Sequence, residues 1–158
     1  MKKLISSTIA VFALLSGLFA ALAIPGVGEA QPPTTDTFHE TFSEVEADTI
    51  CGEDVLIDTE GKSVFHITEF DDGRYHFTGT GVGRFSFELS TGEVFTGRFT
   101  FWFGENLTSV DDFNATFTFN ATGKGDEGTH VMLREVAHVT IVNGEIVVEF
   151  DTLNSTCR

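Results

Sequence analysis

The spacing of the phenylalanines constrains the fold of this sequence more than any other feature. Nine phenylalanines lie between positions 85 and 119, and all have odd numbers: Phe85, Phe87, Phe95, Phe99, Phe101, Phe103, Phe113, Phe117 and Phe119. Successive side chains of a β-strand point to opposite faces of the sheet, so residues two apart share one face. This period of two predicts several strands that carry one common aromatic face.

The first thirty residues have the pattern of a secretory signal peptide. Lys2 and Lys3 give a positive start, the stretch from Leu4 to Ile24 is apolar, and Ala30 ends a small-residue cleavage site. We therefore expect a secreted, extracellular protein from which residues 1–30 are removed; an uncleaved membrane anchor is the alternative. Because no second apolar run follows, we expect no stable membrane insertion after cleavage.

The rest of the chain has the length of one domain and a strongly acidic charge. We divide it into an N-terminal segment with the first strand (31–50) and a β-barrel body (51–158), one domain whose strands span 37–158. The whole chain has a net charge of −15, and removing the three charged residues of the signal peptide leaves −16. Such a surface repels phosphates, which excludes nucleic acid as a partner. We expect the protein to be a monomer. The sequence contains no cofactor-binding motif, so we expect no cofactor.

Both cysteines, Cys51 and Cys157, belong to the exported part of the chain. An even number of cysteines in an oxidising compartment predicts a disulfide. In the loop-entropy model, a disulfide that closes the long loop between these two residues stabilises the fold by about 4–5 kcal/mol. We expect this bond to tie the last strand to the beginning of the sheet.

Turn residues divide the chain into eight or nine predicted antiparallel strands. The turn signals are Glu60-Gly61, Asp71-Asp72-Gly73, Thr91-Gly92, Gly123 to Gly128, and Asn143-Gly144. The candidate strands cover 37–45, 54–59, 63–70, 74–80, 82–90, 94–104, 112–122, 129–142 and 145–152. Short connections between them predict an all-β, up-and-down meander.

Three of the turns predict a register. We expect a two-residue loop at Asn143-Gly144 and three-residue loops at 71–73 and 91–93. The predicted pairs are Ile141 with Ile146, Val139 with Val148, Ala137 with Phe150, His138 with Glu149, Ile67 with Phe77, and Leu89 with Phe95. The ring of Phe87 would then cover Gly97.

Consecutive hairpins and the expected disulfide favour a closed barrel, with a β-sandwich as the alternative. The even-numbered face would lie in solvent, and Trp102 on that face would be covered by a loop or by the N-terminal segment. The inward rings either fill the interior or line a pocket for a small apolar ligand. The candidate ligand-binding residues are Phe85, Phe87, Phe99, Phe101, Phe117 and Phe119. Because no arginine or lysine points inward in the well-defined strands, we expect a neutral ligand.

A few polar residues are candidates for chemistry. Alternation places Glu135, Tyr75 and Glu40 on the inward face, where a carboxyl group in apolar surroundings has a raised pKa and can act as a general acid or base. The alternative for Glu135 is a bulge that turns it outward. His66 and His76 lie diagonally on adjacent strands, but zinc sites need three or four ligands, so exposed histidines are the simpler interpretation.

The chain resembles small secreted β-barrels of the calycin and allene oxide cyclase-like (dirigent-like) type. The resemblance rests on the signal peptide, the strand meander, the terminal cysteine, and the run from Gly79 to Phe85 that leads into a Phe-rich strand. The chain is also similar to uncharacterised secreted bacterial proteins with one cysteine before the barrel and one at its end. A cyclase-like relationship implies isomerisation of an apolar substrate in the lumen, with Glu135 and Tyr75 as the candidate catalytic residues.

From these features we expect a non-catalytic barrel that binds a small neutral apolar ligand or has an extracellular interaction role. The alternatives are an isomerase and a structural protein with a filled core.

Overall fold

A computed structural model describes residues 32–109 and 111–158. These residues form one seven-stranded antiparallel sheet in which each strand pairs only with its neighbours in the chain. The strands are β1 (Thr34–Ile50), β2 (Glu53–Glu69), β3 (Tyr75–Glu88), β4 (Val94–Ser109), β5 (Asp112–Gly125), β6 (His130–Val142) and β7 (Glu145–Cys157). The predicted all-β meander is confirmed. Within the described ranges, β1 and β7 are the edges of the sheet. The predicted signal peptide, residues 1–30, lies outside the described residues.

The sheet is strongly curled. Strands in a sheet are about 4.8 Å apart, so six steps from β1 to β7 would span about 29 Å if the sheet were flat. Cys51 and Cys157 nevertheless form the predicted disulfide, with a Cα–Cα distance of 5.8 Å. The ring of Phe42 on β1 lies 6.0 Å from that of Phe99 on β4, three strands away. The sheet therefore has a concave face, onto which these rings point, and a convex face.

Two of the predicted strand breaks are wrong, which is why seven strands replace nine. Gly61 lies inside β2 and Gly81 inside β3. A Cβ atom on Gly61 would lie 2.5 Å from the ring of Phe42, and one on Gly81 would lie 2.1 Å from the ring of Phe101. Both glycines are needed for the close approach of a ring on the neighbouring strand, so neither of them marks a turn.

The hairpin at Asp71–Gly73 has the predicted loop and pairs Ile67 with Phe77. The next loop has the predicted length but begins one residue earlier, at Ser90, because Leu89 N–H bonds to the Glu93 carbonyl. The pairs there are Phe87 with Phe95, Phe85 with Gly97 and Gly83 with Phe99, which corrects the predicted pairing of Leu89 with Phe95. Each residue's partner changes by two, so Phe85 rather than Phe87 lies opposite Gly97, and each ring keeps its face of the sheet.

The last hairpin follows the prediction only near its turn. Asn143 and Gly144 both have positive φ, as a type I′ turn requires, and Ile141 pairs with Ile146. A register shift follows at once, so that one residue of β7 is left over. The pairs beyond it are Val139 with Glu149, His138 with Phe150, and Ala137 with Asp151, which corrects the three predicted pairs. The imidazole of His138 stacks on the Phe150 ring at a centroid distance of 5.6 Å.

A cluster of nine buried hydrophobic residues lies at the end of the sheet that carries the disulfide, which we call the disulfide end. Its buried residues come from six strands, β1 to β6: Ile50, Val55, Ile57, Phe85, Phe87, Phe95, Phe99, Ala121 and Val131. Side-chain hydrogen bonds join the loops at this end, from Ser90 N–H to Glu53 and from Thr129 N–H to the buried Glu93. The opposite end, which we call the far end, carries Tyr75, Leu107 and Phe113.

Trp102 lies on the convex face, as the alternation predicts, but it is not covered in the way we expected. Its side chain is 40% exposed and lies along its own strand across Gly104. The indole therefore lies against its own strand beside Gly104. The even-numbered glycine two positions along β4 leaves space for the ring on the surface of the sheet.

Candidate functional site

The six predicted ligand-binding phenylalanines all lie on the concave face but divide into two groups. Phe85, Phe87 and Phe99 are buried at the disulfide end and form part of its core. Phe101, Phe117 and Phe119 lie nearer the middle and the far end of the sheet, and their side chains remain partly exposed. The partly exposed group pairs across neighbouring strands, with Phe101 opposite Phe119 on β4 and β5. These three rings, which we call the open aromatic surface, are the candidate contact area for a ligand.

Glu135 lies beside the open aromatic surface. It is on β6 directly opposite Phe119 and points to the concave face, as the alternation predicts. The bulge that would have turned it outward is absent from the β5–β6 pairing, because the register of those strands is continuous from Phe113 to Lys124. The side chain is half-buried.

The Tyr75 hydroxyl donates a hydrogen bond to the carboxylate of Glu105 on β4. Both residues lie on the concave face at the far end, where Phe77 is directly opposite Glu105. Burial is the main cause that raises the pKa of Glu105, and the hydrogen bond from Tyr75 partly opposes it. Burial, with a smaller contribution from Glu105, also raises the pKa of Tyr75. The pair thus combines a carboxyl group that holds its proton more tightly than usual with a phenol that stays protonated.

Glu105 is not among the residues predicted from the sequence. The predicted strand 94–104 stops just before it, whereas β4 continues to Ser109. The signal that would have found it is its odd number, which continues the series of Phe99, Phe101 and Phe103. An acidic residue with an odd number on this strand is expected to place its carboxylate on the aromatic face.

Glu40 also points to the concave face, opposite the buried Ser63 on β2, but its side chain is exposed. It belongs to a larger set, because every acidic residue of β1 has an even number and shares that face. The set is Asp36, Glu40, Glu44, Glu46 and Asp48. Partial desolvation is the main cause that raises the pKa of Glu46, and the charges of Asp48 and Glu44 raise it further. The predicted first strand ends at residue 45, so the prediction did not include Glu46 and Asp48.

Basic side chains have the opposite distribution. The strand lysines and arginines before β7 are all on the convex face: Lys62, Arg84, Arg98, Lys124 and Arg134. Arg84 and Arg98 are directly opposite each other on β3 and β4. A surface depression with a volume of about 660 Å³ is lined mainly by convex-face residues around these two arginines. The anionic group of a ligand on the concave face would therefore lie near carboxylates and near none of these five basic side chains.

The two candidate metal-binding histidines lie diagonally on the convex face, with His66 opposite Thr78 and His76 opposite Thr68. Each ring bonds to a neighbouring side chain. His66 Nδ1 is 2.9 Å from Thr37 Oγ1, and His76 Nδ1 is 2.5 Å from Asn106 Oδ1. Within residues 32–109 and 111–158, no group of three or more His, Cys, Asp or Glu residues is arranged to hold a metal ion.

Comparison of the chain with protein-family models, curated proteins and solved structures gave no match. In the part of the chain that the structure describes, no helix has the length and apolar character to cross a bilayer.

Proposed function

We propose that this protein is an exported, non-catalytic binding protein whose concave face takes a small, neutral, apolar ligand. One observation carries the proposal: Phe101, Phe117 and Phe119 face the concave side yet stay partly exposed, while the rings at the disulfide end are buried. Aromatic side chains that line a concave surface are typical of small-molecule sites. The absence of inward arginine and lysine among the described strands before β7 disfavours an anionic ligand, whose charge would be desolvated without a partner.

A closed barrel is part of this proposal. The disulfide already holds the first turn close to the end of β7, so the sheet has most of the curvature that closure requires. Pairing along the remaining side, either between β1 and β7 or through an added strand, would enclose the open aromatic surface. Closure removes sheet edges and excludes water from the interior. The single sheet supports a barrel over the alternative of a sandwich.

A second candidate function is an isomerase or cyclase, which the resemblance to allene oxide cyclase-like barrels implies. The hydrogen bond between Tyr75 and Glu105 favours it, because a carboxyl group whose pKa is raised above its ordinary value is better suited to give and take a proton. Glu135 lies on β6, opposite Phe119 rather than beside Tyr75, so the acid partner of Tyr75 would be Glu105 instead.

A pair of fluorescent probes tests the binding proposal. N-phenyl-1-naphthylamine is neutral and apolar, and anilinonaphthalene sulfonate has a similar ring system with an anionic group. We expect the neutral probe to bind and the anionic probe to bind at least about tenfold more weakly. Phe119→Ala should weaken the binding of the neutral probe by about tenfold, since it removes an aromatic contact. Trp102→Ala on the convex face is the matched control and should leave binding unchanged.

Three results would contradict the proposal: no binding of the neutral probe, equal binding of both probes, or an equal loss in the Trp102 variant. Absence of binding combined with a compact, stable fold would favour the structural alternative with a filled interior. Native mass spectrometry of the protein from its own host would then identify any ligand that co-purifies with it. Turnover of a bound apolar compound that is lost in Glu105→Gln would favour the isomerase.

A further inference from the structure

The β1 edge of the sheet has only one of the usual features that prevent strand pairing, its inward-pointing charges. Natural edge strands are also protected by shortness, proline, lysine or bulges. β1 is 17 residues long, contains no Pro, Gly, Lys or Arg, and pairs with β2 without a register shift. Apart from Phe42 and Ile50, its side chains are exposed. The other edge, β7, is interrupted by a register shift close to its start. β1 is therefore the edge better suited to accept another strand.

The charges along β1 indicate which kind of strand it would accept. All five of its acidic residues are on the concave face, where they alternate with Phe38 and Phe42 before Ile50. Side chains directly opposite one another on neighbouring strands attract if their charges differ and repel if they are alike. A second copy of this chain would bring its own acidic strand to the same edge. A basic strand would pair with it favourably.

We propose that β1 binds an extended segment of a partner polypeptide that carries basic residues at alternate positions. The segment adds to the edge as an antiparallel strand, with backbone hydrogen bonds for affinity and alternate side chains for specificity. Its residues on the concave side are basic opposite Asp48, Glu46, Glu44 and Glu40, and apolar opposite Phe42. This inference concerns the edge alone and does not depend on whether the concave face binds a small ligand.

The charge distribution elsewhere in the molecule supports a basic partner. On the concave side of β7, Glu149 and Asp151 lie opposite Val139 and Ala137. A strand in the space between the edges would thus have carboxylates on both sides. The strand arginines and lysines before β7 point to the convex face and would not repel it. Inward charges on an edge also discourage self-association, so the same residues select a basic strand over a second copy.

A peptide of alternating lysine and threonine, with valine placed opposite Phe42, tests the proposal on the full-length protein. Its control has the same composition, but its lysines are consecutive, so they cannot all lie on one face of a strand. We expect the alternating peptide to bind about tenfold more tightly than the control, since several opposite-charge pairs are lost in the control. Hydrogen exchange should show new protection of β1 amides and no new protection of β7.

A set of isosteric variants provides the second measurement. Glu44→Gln, Glu46→Gln and Asp48→Asn together remove three charges from the concave side of β1 and should abolish the preference for the alternating peptide. Asp58→Asn, Glu60→Gln and Glu88→Gln remove the same charge from the convex face and should preserve it. Equal binding of the two peptides would show nonspecific attraction and overturn the proposal. So would protection, before any peptide is added, of the β1 amides that point away from β2, dimerisation of the protein alone, or no binding.

Discussion

Phe85 on β3 and Gly97 on β4 lie directly opposite each other, and the phenyl ring occupies the space that a side chain at position 97 would need. A Cβ atom at that position would lie 2.3 Å from the ring and 2.4 Å from the carbonyl oxygen of Thr122 on β5. The glycine therefore lets a core ring lie flat on the sheet between two neighbouring strands. The same relationship joins Phe101 to Gly81 and Phe42 to Gly61.

Gly97→Ala should destabilise the protein by roughly 1–3 kcal/mol, because both the ring and the backbone of β5 must move to make room. Chemical denaturation followed by circular dichroism measures the change. Gly104→Ala is the matched control on the same strand. Its Cβ would contact the outer edge of the exposed Trp102 ring, which can swing into solvent, so we expect a much smaller effect. Equal losses in the two variants would contradict this account of Gly97.

Removing the disulfide with Cys51→Ala and Cys157→Ala should cost about 4–5 kcal/mol, as the loop-entropy model gives for a separation of 106 residues. β7 is the strand most affected, because among the described strands it pairs with β6 alone and its side chains are almost all exposed. We expect amide exchange in β7 to accelerate more than exchange in β4, at the centre of the sheet. Uniform acceleration across all strands would show instead that the bond stabilises the sheet only globally.

Arg98→Glu should stabilise the protein, although it makes an acidic chain more acidic. Arg98 is directly opposite Arg84, so the substitution replaces a repulsive cross-strand pair by an attractive one, worth up to about 1 kcal/mol. The gain should shrink in high salt, since both side chains are exposed. Arg134→Glu, whose cross-strand neighbours are Asn120 and Asn154, makes the same change in net charge. If it is equally stabilising, the local pairing is not the cause.

Glu105→Gln should raise the melting temperature near pH 7 and have less effect near pH 4. Burial raises the pKa of Glu105 in the folded state above its ordinary value of 4.5. The folded wild type therefore binds its proton more tightly than the unfolded chain, and its stability falls as the pH rises above 4.5. Glutamine cannot ionise and still accepts the hydrogen bond from Tyr75. A difference in melting temperature that stays constant from pH 4 to pH 7 would contradict the raised pKa.

Tyr75→Phe provides an independent test of the same pair. The Tyr75 hydroxyl lowers the pKa of Glu105 by donating to its charged form. Without that donor, the pKa of Glu105 should rise further, and the loss of stability should extend to higher pH than in the wild type. Melting curves measured at intervals between pH 4 and pH 8 would show this extension. An unchanged pH profile would indicate that the hydroxyl does not bond to the carboxylate in solution.

Parity was the strongest information in the sequence, because it depends only on the extended backbone. The odd-numbered rings from Phe85 to Phe119 do share one face, and the inward position of Glu135 follows from the same rule. Register was harder to predict, since one extra residue in β7 pairs Val139 with Glu149 instead of Val148. Strand ends were hardest: a glycine such as Gly61 reads equally as a turn and as a space for the ring of Phe42.

The same limits explain what was missed in the candidate site. Glu105 and the acidic face of β1 depend on how far two strands continue, and hydrophobic alternation fades where charged residues replace apolar ones. The cross-strand partners of Tyr75 depend on the register between β3 and β4, and the predicted loop at 91–93 lies one residue too late, which shifts that register by two residues. The partial exposure of Phe119 depends on the curvature of the whole sheet, for which the sequence carries no simple pattern.

The meander has a consequence for how the molecule assembles. Each hairpin joins consecutive strands, so each can form once its own two strands exist, at a small entropic cost for closing its loop. The bond between Cys51 and Cys157 is different, since the two thiols meet only after all seven strands have paired and curled. Disappearance of free thiols during oxidative refolding should therefore lag behind the recovery of β-structure and mark the moment at which assembly is complete.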